Sequence, residues 1–267
     1  MLTLSPIGHP MIDSASRRAG VLLFGASALL LLAACEKTQV TQGECRPVNG
    51  ADVCTWVRTK GISVLSFGAT VPMSAISNAP ADAPMVWPPV AAATIALPEA
   101  VTTATGLKVL TVYWEAHGHP PAPFMTPHFD FHFYNMATAD IAAMDCSDLT
   151  KPASPPASYE LPDIEIPGIG MLTGLCVAGM GMHALPSAEM AGTAPFRGTM
   201  VVGYYHAKPI FIEPMISQAA LQERKNFELP IPVVADLPAG VHYPTQFRAA
   251  YDSTAQSYRF MFAMPKM

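Results

Sequence analysis

Residues 127–134, Pro-His-Phe-Asp-Phe-His-Phe-Tyr, alternate polar and aromatic side chains without a break. Successive side chains of a β-strand point to opposite faces, so this pattern predicts a strand. One face carries three phenylalanines and must lie against a core. The other face carries His128, Asp130, His132 and Tyr134, and burying imidazoles and a carboxylate costs free energy unless they are paired or bind a ligand. The segment therefore predicts both a sheet and a polar site on that sheet.

Short apolar segments at frequent intervals predict more strands elsewhere in the chain. The 27 prolines are about twice the ordinary usage, which favours short strands and fixed loops over long helices. The chief predicted strands are 53–57, 62–70, 109–115, 196–205, 209–212, 247–251 and 257–262. Helices are expected at 137–148 and at 214–224, where Pro214 suits a first helical turn. We therefore predict a mainly β fold for residues 51–267, a single antiparallel β-sandwich or barrel domain with one or two short helices.

Charge and composition exclude two classes of protein. Charged residues make up 13% of the chain and hydrophobic residues 51%, and the formal net charge is −5. A disordered chain would carry more charge and less apolar surface. A nucleic-acid-binding protein would need a basic surface to neutralise phosphates, so we expect no nucleic-acid partner. The composition leaves a small-molecule ligand and the oligomeric state open.

Residues 1–34 have the organisation of an export signal. Arg17 and Arg18 precede an apolar run over 21–34 that ends in Leu-Leu-Ala-Ala, directly before Cys35. A cysteine in this position is typical of the bacterial lipoprotein processing site, where the thiol is lipidated (palmitate is the expected acyl chain) and becomes the mature N-terminus. We predict a lipoprotein signal peptide at 1–34 and a polar tether at 35–50.

The alternative for this segment is a short membrane anchor that happens to contain a cysteine. The run over 21–34 is shorter than the roughly 20 residues of a spanning helix, which favours the lipoprotein. The chain is therefore expected in the bacterial cell envelope, lipid-anchored and facing the periplasm, with the membrane as its partner. The choice between the general and the twin-arginine export route stays open.

Four cysteines remain in the mature chain: Cys45, Cys54, Cys146 and Cys176. An even number in an oxidising compartment favours disulfides over four unpaired buried thiols. Three pairings are possible, and proximity in sequence favours Cys45–Cys54 with Cys146–Cys176. None of the spacings is that of a zinc site built from cysteines alone.

Four polar segments supply candidate metal ligands. The candidates are His119 in the turn 117–121, His128, Asp130 and His132 on the predicted strand, His183 within 181–183, and Glu213 within 211–214. Imidazole and carboxylate groups together suit a divalent zinc, manganese, iron, nickel or copper ion. The sequence leaves the identity of the metal open.

Strand geometry limits how these residues can share one ion. His128 and His132 are four residues apart, about 13 Å along an extended strand. Two imidazoles rarely share one ion across that span. Either the strand bends after Pro127, or Asp130 pairs with one histidine, about 6.6 Å away. The other histidine would then orient a ligand through its free ring nitrogen.

Each candidate ligand also has a purely structural role open to it. His128 can cap the edge of a strand, and His183 can be a hydrogen-bonded core residue. Asp130 can form a buried ion pair with Arg197 or Lys108. The hypothesis of a metal site therefore depends on whether the four segments converge.

The residues around Glu213 allow further interpretations. Glu213 precedes the predicted helix, where the helix dipole favours a carboxylate in any case. Met180, Met182 and Met215, close to His183 and Glu213 in the sequence, suggest copper in an exported protein, although core packing also explains them.

The motifs of nucleophilic and zinc-peptidase catalysis are absent from the sequence. It contains neither the Gly-x-Ser-x-Gly elbow nor the His-Glu-x-x-His helix. Asp130 and Glu213 could serve as an acid–base pair for sugar hydrolysis, but no aromatic subsite pattern accompanies them.

Four motifs resemble those of a family of uncharacterised exported bacterial proteins. They are Gly-His-Pro-Pro at 118–121, the octapeptide at 127–134, Met-Gly-Met-His at 180–183 and Phe-Ile-Glu-Pro-Met at 211–215. The resemblance covers roughly residues 50–225 and implies that these motifs belong to one domain; it implies no particular reaction. The Ala-Leu-Pro after His183 departs from the aromatic residue expected there. A similarity to cupin metal sites is an analogy only.

Three hypotheses for the function follow from the sequence. The first is a lipid-anchored exported β protein that binds a divalent metal through histidines and carboxylates. The second is a metal-dependent enzyme of unknown substrate, which would need an open coordination position. The third is a structural or assembly module whose histidine network is held by hydrogen bonds alone.

Overall fold

The computed structural model describes residues 37–192 and 196–265, which form fifteen strands, five short helices and two 3₁₀ turns. The predicted signal peptide 1–34 and the lipidation site Cys35 lie outside these residues. The strands are β1 (Thr38–Val48), β2 (Ala51–Lys60), β3 (Ser63–Pro72), β4 (Ala93–Ala96), β5 (Val109–Glu115), β6 (His128–Tyr134), β7 (Tyr159–Glu160), β8 (Ile164–Ile166), β9 (Gly170–Leu172), β10 (Met182–Pro186), β11 (Gly198–Tyr205), β12 (Lys208–Ser217), β13 (Phe227–Leu229), β14 (Gln246–Asp252) and β15 (Ser257–Ala263). The helices are α1 (Met73–Ser77), α2 (Glu99–Thr105), α3 (Thr138–Ala142), α4 (Ser187–Met190) and α5 (Gln218–Gln222), and the 3₁₀ turns are Ala122–Phe124 and Thr173–Leu175.

The strands form three antiparallel sheets. A six-stranded sheet has the order β1-β2-β3-β15-β14-β13, and a seven-stranded sheet has the order β4-β5-β6-β12-β11-β10-β7. Strands β8 and β9 form a separate pair. The predicted mainly β, antiparallel fold is confirmed. The small third sheet and the number of helices, five instead of one or two, differ from the prediction, because the long loops fold into short local elements.

The main core lies between the two large sheets. The phenylalanine face of β6 packs against the six-stranded sheet: the ring centroids of Phe131 and Phe260 are 4.9 Å apart, as are those of Phe133 and Phe262. Aromatic pairs at this separation contribute beyond their buried area. The predicted alternation of β6 therefore fixes which face of the seven-stranded sheet is turned to the core.

The predicted polar tether 35–50 includes residues 38–48, which form the edge strand β1. It pairs with β2 in an antiparallel ladder in which Cys45 lies opposite Cys54. The backbone N–H of Ala96 donates a hydrogen bond to the Glu44 carboxylate, 2.5 Å away. Most side chains of β1 are exposed, so a polar sequence is compatible with an edge strand, and backbone hydrogen bonds hold it in place.

The two predicted helices are much shorter than expected. Over 137–148 only α3 is helical. Over 214–224 the chain first continues as strand β12, to Ser217. The residues of this strand that point to either face of the sheet are buried. Helix α5 begins only afterwards, with the Ser217 hydroxyl accepting a hydrogen bond from the N–H of Ala220.

The two predicted disulfides, Cys45–Cys54 and Cys146–Cys176, are both present. The first staples the edge strand to its neighbour. The second closes the segment 146–176, which contains β7, β8 and β9. Two disulfides indicate an exported protein. None of the helices in the described residues has the length and apolar character needed to span a bilayer.

A second, smaller core covers the outer face of the seven-stranded sheet. It joins Tyr134 and Phe211 on the sheet to Phe124, Ile141 and Leu175 from the loops. The polar side chains of β6 point into this layer, so they lie under the loops and away from the contact between the sheets.

Gly203 on β11 provides a test of this outer layer. A methyl group at Gly203 would lie 1.9 Å from the ring of Phe211. We expect Gly203→Ala to lower the free energy of unfolding by about 1–3 kcal/mol through overpacking, measured by chemical denaturation. Gly198→Ala, on the same strand, meets no atom closer than 3.4 Å and should change stability by less than about 0.5 kcal/mol. Equal stability of the two variants would contradict the packing described.

Candidate metal centre

Three strands of the seven-stranded sheet bring His132, Glu213 and His183 together. Ile212 pairs with Phe133 and Met215 with Asp130, which places Glu213 of β12 beside His132 of β6. The His132 Nε2 and a Glu213 carboxylate oxygen are 3.0 Å apart.

His183 reaches this pair from β10, across the intervening strand β11. It lies opposite Gly203, which has no side chain, so the ring of Phe211 fills the space between the strands. The Phe211 ring centroid is 4.5 Å from that of His132 and 5.2 Å from that of His183. The glycine therefore allows one aromatic ring to pack against two of the histidines.

His119, His128 and Asp130 form a second group at the adjacent end of β6. One oxygen of Asp130 is 3.3 Å from His128 Nε2, and the other is 3.7 Å from His119 Nε2. His119 comes from the loop between β5 and β6, after Gly118 with a φ of +66°. A Cβ at Gly118 would lie 2.1 Å from the backbone oxygen of Phe124, so the turn that aims His119 requires glycine.

Each group has the geometry of a metal site. In His119, His128 and Asp130, and equally in His132, His183 and Glu213, one ligand atom from each side chain lies within 4.8 Å of the others. Ligands at about 2.1 Å on opposite sides of one ion are about 4.2 Å apart. Small side-chain movements would therefore bring either group to bonding distance.

Backbone hydrogen bonds fix three of the imidazoles. The Nδ1 atoms of His119, His128 and His183 lie 2.8, 2.7 and 3.0 Å from the carbonyl oxygens of Pro120, Thr126 and Leu175. A carbonyl oxygen can only accept, so each Nδ1 carries the proton and donates it. In the neutral imidazole, Nε2 then keeps its lone pair and faces the site, the arrangement found in metal-binding histidines.

Several buried polar atoms of the site have no hydrogen-bond partner. They are His128 Nε2, Asp130 Oδ1, both ring nitrogens of His132, and Glu213 Oε2. The contacts of 3.0–3.3 Å between them are within ion-pair distance, but they are not aligned as hydrogen bonds. Leaving a buried polar group unpaired costs about 1–3 kcal/mol. A cation bound within either group would pair with one imidazole nitrogen and one carboxylate oxygen of this set: His128 and Asp130 in one group, His132 and Glu213 in the other.

The two buried carboxylates have opposite pKa shifts. Burial raises the pKa of Glu213 well above its usual value, and the charge and close approach of Asp130 raise it further. Burial also acts to raise the pKa of Asp130, but His128 and His119 outweigh it and hold that pKa below its usual value. The directions of the two shifts favour a charged Asp130 and a protonated Glu213 when no metal is bound.

The pKa values of the four histidines also shift in opposite directions. Burial lowers the pKa of His128 and of His132 to about 4 and that of His183 to about 3. Burial also acts to lower the pKa of His119, but the hydrogen bond and charge of Asp130 outweigh it and raise the pKa to about 9. Three of the four imidazoles are therefore neutral and available as ligands at neutral pH.

Five of the six side chains, all but His128, line one cavity of about 30 Å³. This volume is enough for an ion and a water molecule or two. Met180 and Met215 also line the cavity. Met182, by contrast, packs in the main core. Of the three methionines that the sequence places near the metal ligands, two therefore line the cavity.

Glu115 at the end of β5 also lines the cavity and was not among the predicted site residues. It lies opposite His128 in the β5–β6 pair. Burial and the charge of Asp130 raise its pKa to about 7. Its position at a strand end beside the Gly-His-Pro-Pro turn is the signal that could have identified it.

The six predicted site residues thus converge, but in two groups. His128 and His132 belong to different groups, as their separation along the strand implies. The structural alternatives for Asp130 do not apply, because Arg197 pairs with Glu223 and Asp130 pairs with histidines. His117, in the same turn as His119, is exposed.

Comparison with protein-family models, curated proteins and solved structures gives no significant match. The resemblance of the four motifs to a family of exported bacterial proteins therefore stays a prediction. The function has to be inferred from the site itself.

The protonation states can be measured in metal-free protein by long-range ¹H–¹⁵N NMR. At about pH 7 we expect His119 to be protonated on both ring nitrogens, because Asp130 stabilises its charge. His128 and His183 should be neutral with the proton on Nδ1, and should stay neutral down to about pH 5. Titration of His128 and His183 near pH 6.5, as in an unfolded chain, would contradict the buried geometry.

Proposed function

We propose that this protein is an exported, lipid-anchored β protein of the bacterial cell envelope that binds a divalent metal ion in the cavity on the outer face of its seven-stranded sheet. The ligands are drawn from His119, His128, Asp130, His132, His183 and Glu213. The observation that carries the proposal is the convergence of these side chains in two groups, in which His128, Asp130, His132 and Glu213 have buried polar atoms without a hydrogen-bond partner.

The donor set suits a borderline transition metal. Imidazole nitrogens and carboxylate oxygens bind zinc, manganese, iron or copper, whereas magnesium and calcium prefer oxygen alone. Met180 and Met215 line the cavity, and a sulfur ligand from either residue would favour copper.

A purely structural histidine network is less well supported. In such a network buried donors and acceptors satisfy one another. Here His132 has no hydrogen-bond partner on either ring nitrogen, and neither does one oxygen of Glu213. Without a bound ion, these unpaired buried atoms of His132 and Glu213 lower the stability of the fold.

A metal-dependent enzyme is the second candidate, favoured by the position of Glu115. Three protein ligands leave a metal with open positions. Glu115 lines the cavity and does not belong to either ligand group. A carboxylate in that position could accept a proton from a water molecule or a substrate.

Export and lipid anchoring rest on the sequence signal and on the disulfides. Disulfides persist in oxidising compartments, and the two in this chain fit a mature domain outside the cytoplasm. The lipid on Cys35 would hold the domain at the membrane, with the membrane as its partner.

Elemental analysis tests the metal site directly. We expect the full chain, purified without a metal-affinity column, to retain at least one divalent ion per chain and His132→Ala to lose it. His242→Ala, which changes an exposed histidine, should retain the metal. Absence of metal from the wild-type protein, even after incubation with zinc, manganese, iron and copper salts, would overturn the proposal.

Anchoring is tested separately with Cys35→Ser expressed in a bacterial host. The wild-type protein should incorporate labelled palmitate and sediment with the membranes, because a lipidated thiol inserts its acyl chains. The variant should incorporate none. Equal incorporation in both proteins would exclude Cys35 as the lipidation site.

A further inference from the structure

We propose that the cavity holds two metal ions, an inner ion at His132, His183 and Glu213 and an outer ion at His119, His128 and Asp130. This inference rests on the proposed metal-binding function and extends it to a two-ion centre. It predicts twice the metal content and a magnetic coupling that a single ion cannot produce.

One ion cannot use all six side chains. Within each group the ligand atoms lie within 4.8 Å of one another, close to the span of one coordination sphere. His128 and His132, however, lie about 13 Å apart along an extended strand. Each of the two histidines also approaches a different carboxylate, Asp130 at 3.3 Å and Glu213 at 3.0 Å.

The two groups are nevertheless neighbours in one cavity. Asp130 and Glu213 both line it, and they lie on neighbouring strands, where Asp130 is opposite Met215, two residues from Glu213. Each of the two carboxylates has an oxygen without a hydrogen-bond partner. Carboxylates between two ions about 3.5–4 Å apart are typical of two-metal sites.

The two positions differ in their access to solvent. The side chains of His132 and Glu213 are 1% and 2% exposed, whereas that of His119 is 21% exposed. His119 also comes from a loop, whereas the inner ligands all come from strands. The outer ion should therefore exchange faster than the inner ion and be the one that meets an incoming ligand.

Two matched variants separate the positions. His183→Gln removes a ligand of the inner group alone, and His128→Gln removes a ligand of the outer group alone; both leave Asp130 and Glu213 in place. His242→Gln is the control. Each protein is stripped of metal, dialysed against manganese(II), and analysed for ions per chain and by electron paramagnetic resonance.

We expect two manganese ions per chain with an exchange-coupled spectrum in the wild type and in His242→Gln. Each ligand variant should bind one ion with an uncoupled spectrum, and the ion left in His183→Gln should exchange faster with added zinc than the ion left in His128→Gln.

Saturation of the wild type at one ion, with an uncoupled spectrum, would overturn the two-ion centre and leave the proposed function intact. Loss of all metal in both variants from a wild type that binds one ion would do the same. A wild type that binds no metal at all would overturn the proposed function as well. If a variant fails to fold, the stoichiometry and the coupling of the wild type alone decide between one ion and two.

Discussion

The structure depends on the burial of two carboxylates and three imidazoles on the outer face of a β-sheet, beside the half-buried ring of His119. Charged groups removed from water must be paired, protonated or bound to a metal. Here His132 and Glu213 lie 3.0 Å apart without forming a hydrogen bond. The surrounding residues keep the two groups from forming a hydrogen bond, and a bound cation would offset the free energy that this costs.

The fold provides the rigidity that such a site needs. The phenylalanine face of β6 is locked between the two large sheets, which fixes the polar face of the same strand. Backbone carbonyls hold the rings of His119, His128 and His183 by their Nδ1 atoms. The Cys146–Cys176 disulfide lies next to Leu175, whose carbonyl oxygen accepts the His183 hydrogen bond. Ligands held in this way lose little conformational entropy on binding.

The sequence predicted the parts of the fold that have a local signal. The strand at 128–134 and its two faces follow from strict alternation, and the strand at 109–115 was found with its correct bounds. The strand β1 was missed because an exposed edge strand has no apolar pattern. The predicted helix that begins at Pro214 was wrong. The side chains on both faces of β12 are buried, and this burial outweighs the preference of proline for the first turn of a helix. Gly203 was missed because its role arises only from the pairing of the strands. Glu115 was missed although it precedes the Gly-His-Pro-Pro turn, because a single carboxylate at a strand end does not by itself indicate a site.

The central claim, that the buried histidines and carboxylates bind metal, is tested most directly by anomalous X-ray diffraction of crystals of the full chain, recorded on both sides of the absorption edge of the metal found in it. The account predicts an anomalous peak about 2.0–2.3 Å from His132 Nε2 and a Glu213 oxygen. A cavity without a peak, with His132 and Glu213 joined by a direct hydrogen bond, would contradict it.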